Sequence, residues 1–152
     1  MEWKPYRWQA GDYRVVRHID TNKRYTWWKG YYPHGVTRTV GGAKGACARH
    51  AKRKLVWEET AWEGTEGPVR ATIERSEDDG GERYFSWWVR FAQYRSEDNW
   101  CNAYSSVSGV AKTREEACVA AEMIADIMRW YISKITPPRP DLDKVVEIVR
   151  KA

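Results

Sequence analysis

Alternation of apolar and polar side chains marks several short segments of this chain, which is the pattern of strands with one buried face. It is clearest at residues 69–75, where Val, Ala and Ile alternate with Arg, Thr and Glu. Turn-forming stretches such as Asp20-Thr21-Asn22 and Pro33-His34-Gly35 separate these segments. The pattern predicts six strands, at residues 13–19, 24–32, 36–40, 69–75, 83–94 and within 100–110.

Apolar residues at helical spacing predict two helices, one after each group of three strands. The first follows Gly41-Gly42 and covers about residues 43–57. The second follows Thr113, a good N-cap with Glu116 three residues later, as in a capping box. Its apolar stripe, which we expect to be buried, comprises Ala117, Ala120, Ala121, Ile124, Ile127, Met128, Tyr131 and Ile135. Residues 142–149, beyond a Pro-rich turn, predict a short final helix.

The two groups of elements resemble each other in sequence, which suggests an internal repeat. Each contains an Arg-Tyr pair, a Trp-Trp pair and, at the helix, an Ala-Cys pair. Trp27-Trp28 matches Trp87-Trp88 at an offset of 60, and Ala46-Cys47 matches Ala117-Cys118 at an offset of 71. We therefore predict that the first Trp of each pair occupies an equivalent buried position.

The predicted fold class is α+β, with an internal duplication of a β-β-β-α unit and an antiparallel sheet with helices packed on one face. A chain of 152 residues has the size of one domain, or of two small halves sharing a core. The predicted parts are a basic first copy at 1–57, a linker at 58–67, a second copy at 68–136, and a Pro-rich turn with an extra C-terminal helix at 137–152.

Positive charge is concentrated at the start of the chain. Residues 1–57 hold 13 Lys and Arg against 3 Asp and Glu, whereas residues 58–99 hold 5 against 11. Such asymmetry is typical of a basic binding face, for which nucleic acid is the commonest partner. The alternative is that the basic and acidic parts neutralise each other within the fold or across a dimer.

Ten Trp and nine Tyr against two Phe suit surfaces that are half-buried or that stack on ligands. Carrying the alternation of residues 83–94 to the first copy places Tyr25, Trp27 and Tyr31 inward. Trp28 and Tyr32 then face outward, as do Arg14 and His18 on the preceding strand, and Arg24 lies nearby. This mixture suits base stacking and phosphate contact. The competing interpretation is that the second half, or a partner subunit in a homodimer, covers this face.

The first predicted helix adds a second basic surface. Arg49 and Arg53 lie opposite its apolar stripe and could follow a phosphate backbone, although such a face is often simply solvated. Lys44, near the helix N-terminus, could hold one phosphate together with free backbone N–H groups. The candidate nucleic-acid-binding residues are therefore Arg14, Arg17, Arg24, Trp28, Tyr32, Arg38, Lys44, Arg49 and Arg53.

The strand-to-helix steps at residues 40–55 and 108–128 resemble those of three-strand-plus-helix DNA-binding modules. These include the arm-binding domain of phage tyrosine integrases and the plant ethylene-response DNA-binding domain, and the step also resembles the end of a double-stranded-RNA-binding domain. The resemblance implies that the sheet faces nucleic acid through Arg14, Arg24, Trp28 and Arg38. The second copy lacks most of these basic residues, so the resemblance does not extend to nucleic-acid binding by that half.

Catalytic motifs are largely absent from the sequence, which contains no HExxH, GxSxG or phosphate loop. We therefore expect a protein that is not an enzyme and has no metal or other cofactor. No apolar run follows Met1 and no segment approaches the length of a membrane span, which favours a cytoplasmic location. Cys47, Cys101 and Cys118 are expected to be reduced thiols.

These patterns favour a small nucleic-acid-binding protein, encoded by a phage or mobile element, that binds DNA or RNA. The alternative hypothesis is a protein-binding inhibitor of a host defence or nucleoprotein complex, similar in action to anti-CRISPR proteins. A third hypothesis is a metal-dependent nuclease, because such sites are assembled from dispersed carboxylates. Salt dependence distinguishes the first two, because phosphate contacts weaken steeply as salt rises.

Overall fold

A computed structural model describes residues 1–18, 24–91, 106–135 and 150–151, which form eight strands and two helices. The predicted final helix at 142–149 and the predicted strand segments 92–94 and 100–105 lie outside these residues. The elements are β1 (Glu2–Ala10), β2 (Tyr13–Arg17), β3 (Tyr25–Lys29), β4 (Tyr32–Thr37), α1 (Val40–Ala51), β5 (Glu58–Glu66), β6 (Val69–Glu77), β7 (Arg83–Phe91), β8 (Val107–Ala111) and α2 (Arg114–Ile135).

The eight strands form one antiparallel sheet in the order β4-β3-β2-β1-β5-β6-β7-β8. The chain is therefore α+β, as predicted, but each half holds four strands and one helix rather than three strands and one helix. The predicted linker at 58–67 is wrong, because it contains β5 at the centre of the sheet. Ala61 and Trp62, which lie within the predicted linker, are buried.

Pairing of β1 with β5 has a symmetric register. Arg7 lies opposite Ala61, and on the two sides of this pair Pro5 lies opposite Trp62 and Trp8 opposite Glu59. The register shifts once on each side of Arg7, so each strand carries one bulge. Exchanging the two strands reproduces the same pairs, which places a local twofold axis perpendicular to the sheet at Arg7 and Ala61.

Corresponding residues surround the two predicted tryptophans. Trp27 lies between Val15 and Gly35 on the neighbouring strands, and Trp87 lies between Ile73 and Gly109. A Cβ added at either glycine would come within 3 Å of the facing indole, which shows that each ring lies directly over its glycine. Trp87 is buried and Trp27 half-buried.

The helices begin at corresponding threonines. Thr39 Oγ1 accepts a hydrogen bond from Gly42 N at 3.0 Å, and Thr113 Oγ1 accepts one from Glu116 N at 3.2 Å. The latter confirms the predicted capping residue. These threonines are 74 positions apart, and at that offset the fully buried Cys47 aligns with the fully buried Ala121. At the predicted offset of 71 it aligns with Cys118, which is half-buried.

Each helix has its own core on the same face of the sheet. α1 buries Ala43 and Cys47 against Trp8, Tyr13 and Val15. The core of α2 comprises Trp62, Val69, Ala71, Ile73, Trp87, Val89, Ala117, Ala121, Ala125 and Met128. Trp62 Nε1 donates to Glu59 Oε2 at 3.0 Å, and Glu59 lies opposite Trp8, so the two cores share one face. The predicted packing of both helices on one face agrees with this arrangement.

Two details of the helices differ from the sequence prediction. α1 ends at Ala51 rather than near residue 57, because Lys52 adopts a left-handed conformation with φ of 55°. In α2 the buried positions are Ala117, Ala121, Ala125 and Met128, and Ile127 is 59% exposed, so its predicted burial is wrong. The burial of Ala117, Ala121 and Met128 confirms that part of the predicted stripe, Ala125 adds a position to it, and Ile127 lies outside the buried face. The side chains of Tyr131 and Ile135 lie outside the described part.

Neither helix in the described ranges combines the length and the apolar composition that crossing a bilayer requires.

Candidate nucleic-acid interface

The face of the sheet opposite both helices, called the helix-free face below, collects arginine and tryptophan side chains. Residues paired directly across antiparallel strands point to the same side. Arg14 pairs with Trp28, and their chain neighbours Val15 and Trp27 belong to the α1 core, so this pair lies on the opposite side. Cross-strand pairing places further side chains on the same face. Its members include Arg7, Arg14, Trp28, Arg70, Thr72, Glu74, Trp88 and Arg90.

Arg14 and Trp28 form a cation–π pair in the first half. The guanidinium carbon of Arg14 lies 5.0 Å from the centre of the Trp28 ring, and both side chains are half-buried. Arg14 Nε is buried and has no acceptor within the described part of the chain. The pair therefore presents an aromatic surface and a guanidinium that forms no salt bridge with a carboxylate of the described residues.

Arg70 and Arg90 form the corresponding basic feature of the second half, which the sequence analysis missed. The two arginines lie directly opposite each other on β6 and β7. Among the described residues neither forms a salt bridge, and Arg70 Nε is buried without an acceptor. Trp88, two residues before Arg90 on the same strand, is 38% exposed. The strand alternation of residues 69–75 and 83–91 contained this signal.

Glutamates near this face are held by partners. Glu74 Oε1 accepts a hydrogen bond of 2.6 Å from the Tyr6 hydroxyl, and Glu74 Oε2 lies 3.9 Å from Arg7 Nη1. Burial, followed by the hydrogen bond to Glu74, raises the pKa of Tyr6 far above its ordinary value. Glu63 is ion-paired with Arg17, which is only 9% exposed. Arg17, a predicted contact residue, is therefore a buried structural group.

Three other predicted residues lie near the ends of β3 and β4. Arg24 immediately precedes β3 and Arg38 immediately follows β4, and both are exposed. Tyr32 is 74% exposed but pairs with Lys29, which shares the helix side with Tyr13. The predicted outward position of Tyr32 is therefore wrong, because a turn at Gly30 and Tyr31 ends the predicted strand 24–32 and Tyr32 begins β4. The prediction that Tyr31 points inward is wrong, because this residue lies in the turn and is 94% exposed.

The predicted residues of α1 belong to a second surface. Lys44 Nζ lies 5.4 Å from the Trp8 ring centre and 5.7 Å from that of Trp57, so its charge is held against the helix-side aromatics. Arg49 on α1 and Arg53 just beyond it are exposed. Since α1 packs on the opposite face from Arg14, the structure divides the predicted residues between two sides of the sheet.

A histidine cluster joins α1 to the first half of the sheet. The Tyr13 hydroxyl and His50 Nδ1 share a hydrogen bond of 2.8 Å, and the His34 and His50 ring centres are 4.9 Å apart. His34 also stacks on Trp27 at 4.8 Å with an interplanar angle of 18°. The cluster is an aromatic contact between helix and sheet. The described residues hold no group of three or more His, Cys, Asp or Glu arranged to bind a metal ion.

A cleft of about 600 Å³ lies where β2 ends beside the first residues of β1. Its walls combine aromatic rings with charged side chains, among them Glu2 and Lys4. The residues that line it are Glu2, Lys4, Pro5, Trp8, Arg17, Tyr25, Val40, Glu63, Thr65 and Arg70. The Arg17–Glu63 ion pair lies in this cleft. The cleft extends from Tyr25 and Val40 in the first half to Arg70 in the second half.

Comparison with protein-family models, with curated proteins and with solved structures gives no match to this chain.

Proposed function

We propose that this chain is a non-enzymatic nucleic-acid-binding protein and that the helix-free face is its binding surface. The observation that carries the proposal is the unneutralised Arg14 guanidinium stacked on the half-exposed Trp28 ring. Guanidinium groups bind phosphate oxygens bidentately, and aromatic rings stack on bases. Free thiols at Cys47 and Cys118 are compatible with a reducing cytoplasm, which we propose as its location.

Charge distribution on the sheet supports this choice of face. The acidic residues in the β6–β7 turn, such as Asp78 and Asp79, are exposed and lie at the opposite end of the hairpin from the Arg70–Arg90 pair. Glu63 and Glu74 are both held by arginines. The net charge of residues 58–99 is negative, but it is not the charge of the helix-free face. On that face the side chains of this segment include Arg70 and Arg90, which form no salt bridge among the described residues.

Fluorescence-anisotropy titrations with labelled DNA and RNA oligonucleotides test the proposal. We expect affinity to fall by orders of magnitude between about 50 and 200 mM salt, as counterion release requires. Arg14→Ala should weaken binding for all sequences and flatten the salt dependence, and Trp28→Ala should cost about 1–3 kcal/mol.

Arg53→Ala is the matched control, because it removes the same charge from the opposite side of the sheet. Equal losses for Arg14→Ala and Arg53→Ala would move the surface to α1 or reduce it to net charge. If no oligonucleotide binds even at low salt, the proposal is wrong. The positive charge would then serve contacts with a protein partner.

We also propose that the two halves descend from one four-strand-plus-helix unit by duplication. Support comes from the symmetric β1–β5 register and from the match of residues 35–39 with 109–113, in which Gly, Val and Thr recur at the same places. The two glycines of this match face Trp27 and Trp87.

A further inference from the structure

Arg70 and Arg90 are placed where two like charges destabilise a sheet. Directly opposed side chains on antiparallel strands have Cβ atoms about 4.5–5.5 Å apart, and like charges in such pairs repel. No carboxylate within the described residues forms a salt bridge with either arginine, and the nearby Glu63 is held by Arg17. A bound anion would relieve the repulsion and supply the acceptor that the buried Nε of Arg70 lacks.

The second half also places a tryptophan and arginines on the helix-free face, although Thr72 lies opposite Trp88 where Arg14 lies opposite Trp28, so the tryptophans correspond in position and the arginines do not. In the first half Arg14 covers Trp28 on β3, and in the second half Arg90 lies two residues from Trp88 on β7. Trp28 and Trp88 occupy corresponding strand positions, because each is the residue after a tryptophan that faces a glycine. In the strand order, β3 and β7 lie equally far from the local twofold axis between β1 and β5.

Symmetry restricts the ligand that both halves can hold in the same way. A single strand has one 5′-to-3′ direction, so two contact points related by a twofold axis would meet it in opposite orientations. A duplex has twofold axes perpendicular to its length, and its two backbones present equivalent phosphates to symmetric protein sites. A twofold-symmetric binding face therefore fits a double strand better than a single strand.

We propose that Arg70, Arg90 and Trp88 form a second contact point and that the helix-free face binds one double-stranded nucleic acid across both halves. Paired bases leave no free face for stacking, so in this complex the tryptophans act as wedges against base steps in a groove. This inference rests on the proposed function and deepens it by naming the second site and the duplex. The phosphodiester backbone is the shared chemistry of duplex DNA and duplex RNA.

Strand spacing sets the length of the duplex between the two points. Five inter-strand steps separate β3 from β7 in the order β3-β2-β1-β5-β6-β7. At about 4.8 Å each they span about 24 Å across the strands. The row of Trp28 crosses β1 at Gln9 and the row of Trp88 crosses it at Lys4, which adds an offset of about 16 Å along the strands. The two tryptophans are therefore about 29 Å apart, or about eight base pairs at about 3.4 Å of helix axis each.

The experiment measures affinity for blunt duplexes of DNA and of RNA from about 4 to 16 base pairs, beside single strands of equal length. We expect affinity to rise steeply until the duplex covers both contact points and then only slowly. Arg90→Ala and Trp88→Ala should each weaken duplex binding at least about fivefold. Arg83→Ala is the control, because Arg83 is on the same strand but on the helix side, and it should bind like the wild type.

Circular dichroism and thermal unfolding confirm that each variant is folded, and the exposed Arg90 keeps the test valid if Trp88→Ala unfolds. If Arg14→Ala weakens binding but Arg90→Ala and Trp88→Ala do not, the second contact point is overturned while the proposed function stands. Tighter binding of single strands than of duplexes overturns the duplex. Failure of every oligonucleotide to bind overturns the proposed function itself. The DNA and RNA series identify which duplex is preferred.

Discussion

Tyr6 shows how one side chain in the sheet becomes sensitive to alkaline pH. Its hydroxyl is buried and donates to Glu74, so the folded chain holds the proton more tightly than the unfolded chain. A group whose pKa is raised by folding stabilises the fold fully at pH below its unfolded value, here about 10. As pH rises beyond that value, this contribution is lost.

Tyr6→Phe should therefore show an effect that depends on pH. At pH 7 we expect it to lower the free energy of unfolding by about 1–3 kcal/mol, because a buried hydrogen bond to a charged carboxylate is lost. Above pH 10 the difference from the wild type should shrink by up to about 1.4 kcal/mol per pH unit. Urea unfolding at pH 7, 9 and 11 measures it, and a difference independent of pH would show that Tyr6 ionises normally.

Cys47 illustrates a thiol made unreactive by burial. Its side chain is fully buried under α1, and desolvation raises its pKa to about 11. At pH 8 we expect iodoacetamide to modify Cys47 far more slowly in the folded chain than in urea, since the thiolate is the reactive form. Peptide mass spectrometry separates this site from the other two cysteines, and rapid native labelling would contradict the burial.

At the scale of elements, Gly35 and Gly109 allow the edge strands to approach their tryptophans. A Cβ would lie 2.8 Å from Trp27 Nε1 at Gly35 and 2.5 Å from Trp87 Cζ2 at Gly109, closer than real Cβ contacts. We expect Gly35→Ala and Gly109→Ala each to destabilise the fold by about 1–3 kcal/mol through overpacking. Gly41→Ala is the control, because nothing lies near its added Cβ. Equal melting temperatures for all three variants would contradict the close approach.

The two faces of α2 differ sharply in burial and can be compared with one substitution. Met128 is 9% exposed, whereas its neighbour Ile127 is 59% exposed. Met128→Asp should destabilise the chain by several kcal/mol, because it buries an unpaired carboxylate, and Ile127→Asp should change stability by less than about 1 kcal/mol. Thermal and urea unfolding of both variants provide the test. A larger loss of stability for Ile127→Asp than for Met128→Asp would show that Ile127 is buried, as predicted from the sequence.

Sequence periodicity predicted elements well where side chains alternate in a regular way. Residues 69–75 and Thr113 are examples, because alternation and capping are local signals. It missed β5, where a bulge at Thr60 leaves Ala61 and Trp62 both buried and breaks the period of two. The Ile127 error has a different origin, because Ile127 lies at the margin of the predicted stripe and was included for its hydrophobicity. The small Ala125, which is buried, carries a weaker apolar signal and was left out.

At the scale of the whole molecule, folding places the predicted binding residues on two faces of the sheet rather than on one surface. Arg14 and Trp28 meet because their strands pair, which the alternation indicated. Arg17 is buried by Glu63, which lies 46 positions away in the sequence. Arg70 and Arg90 were hidden by the acidic average of their segment, because net charge describes composition and not the side on which a residue lies. Long-range pairing therefore decided which charges share a surface.

Placing β1 at the centre of the sheet also has a consequence for synthesis of the chain. The ribosome completes residues 2–10 well before residues 58–66, and at about 5–20 residues per second the interval is about 3–11 s. During that time β1 is an edge strand whose free N–H and C=O groups invite pairing with another nascent chain. Lys4, Pro5 and the bulge at Tyr6 are features that protect edge strands from such pairing. The bulge at the centre of the complete sheet thus hinders pairing of β1 with another chain before β5 has been synthesised.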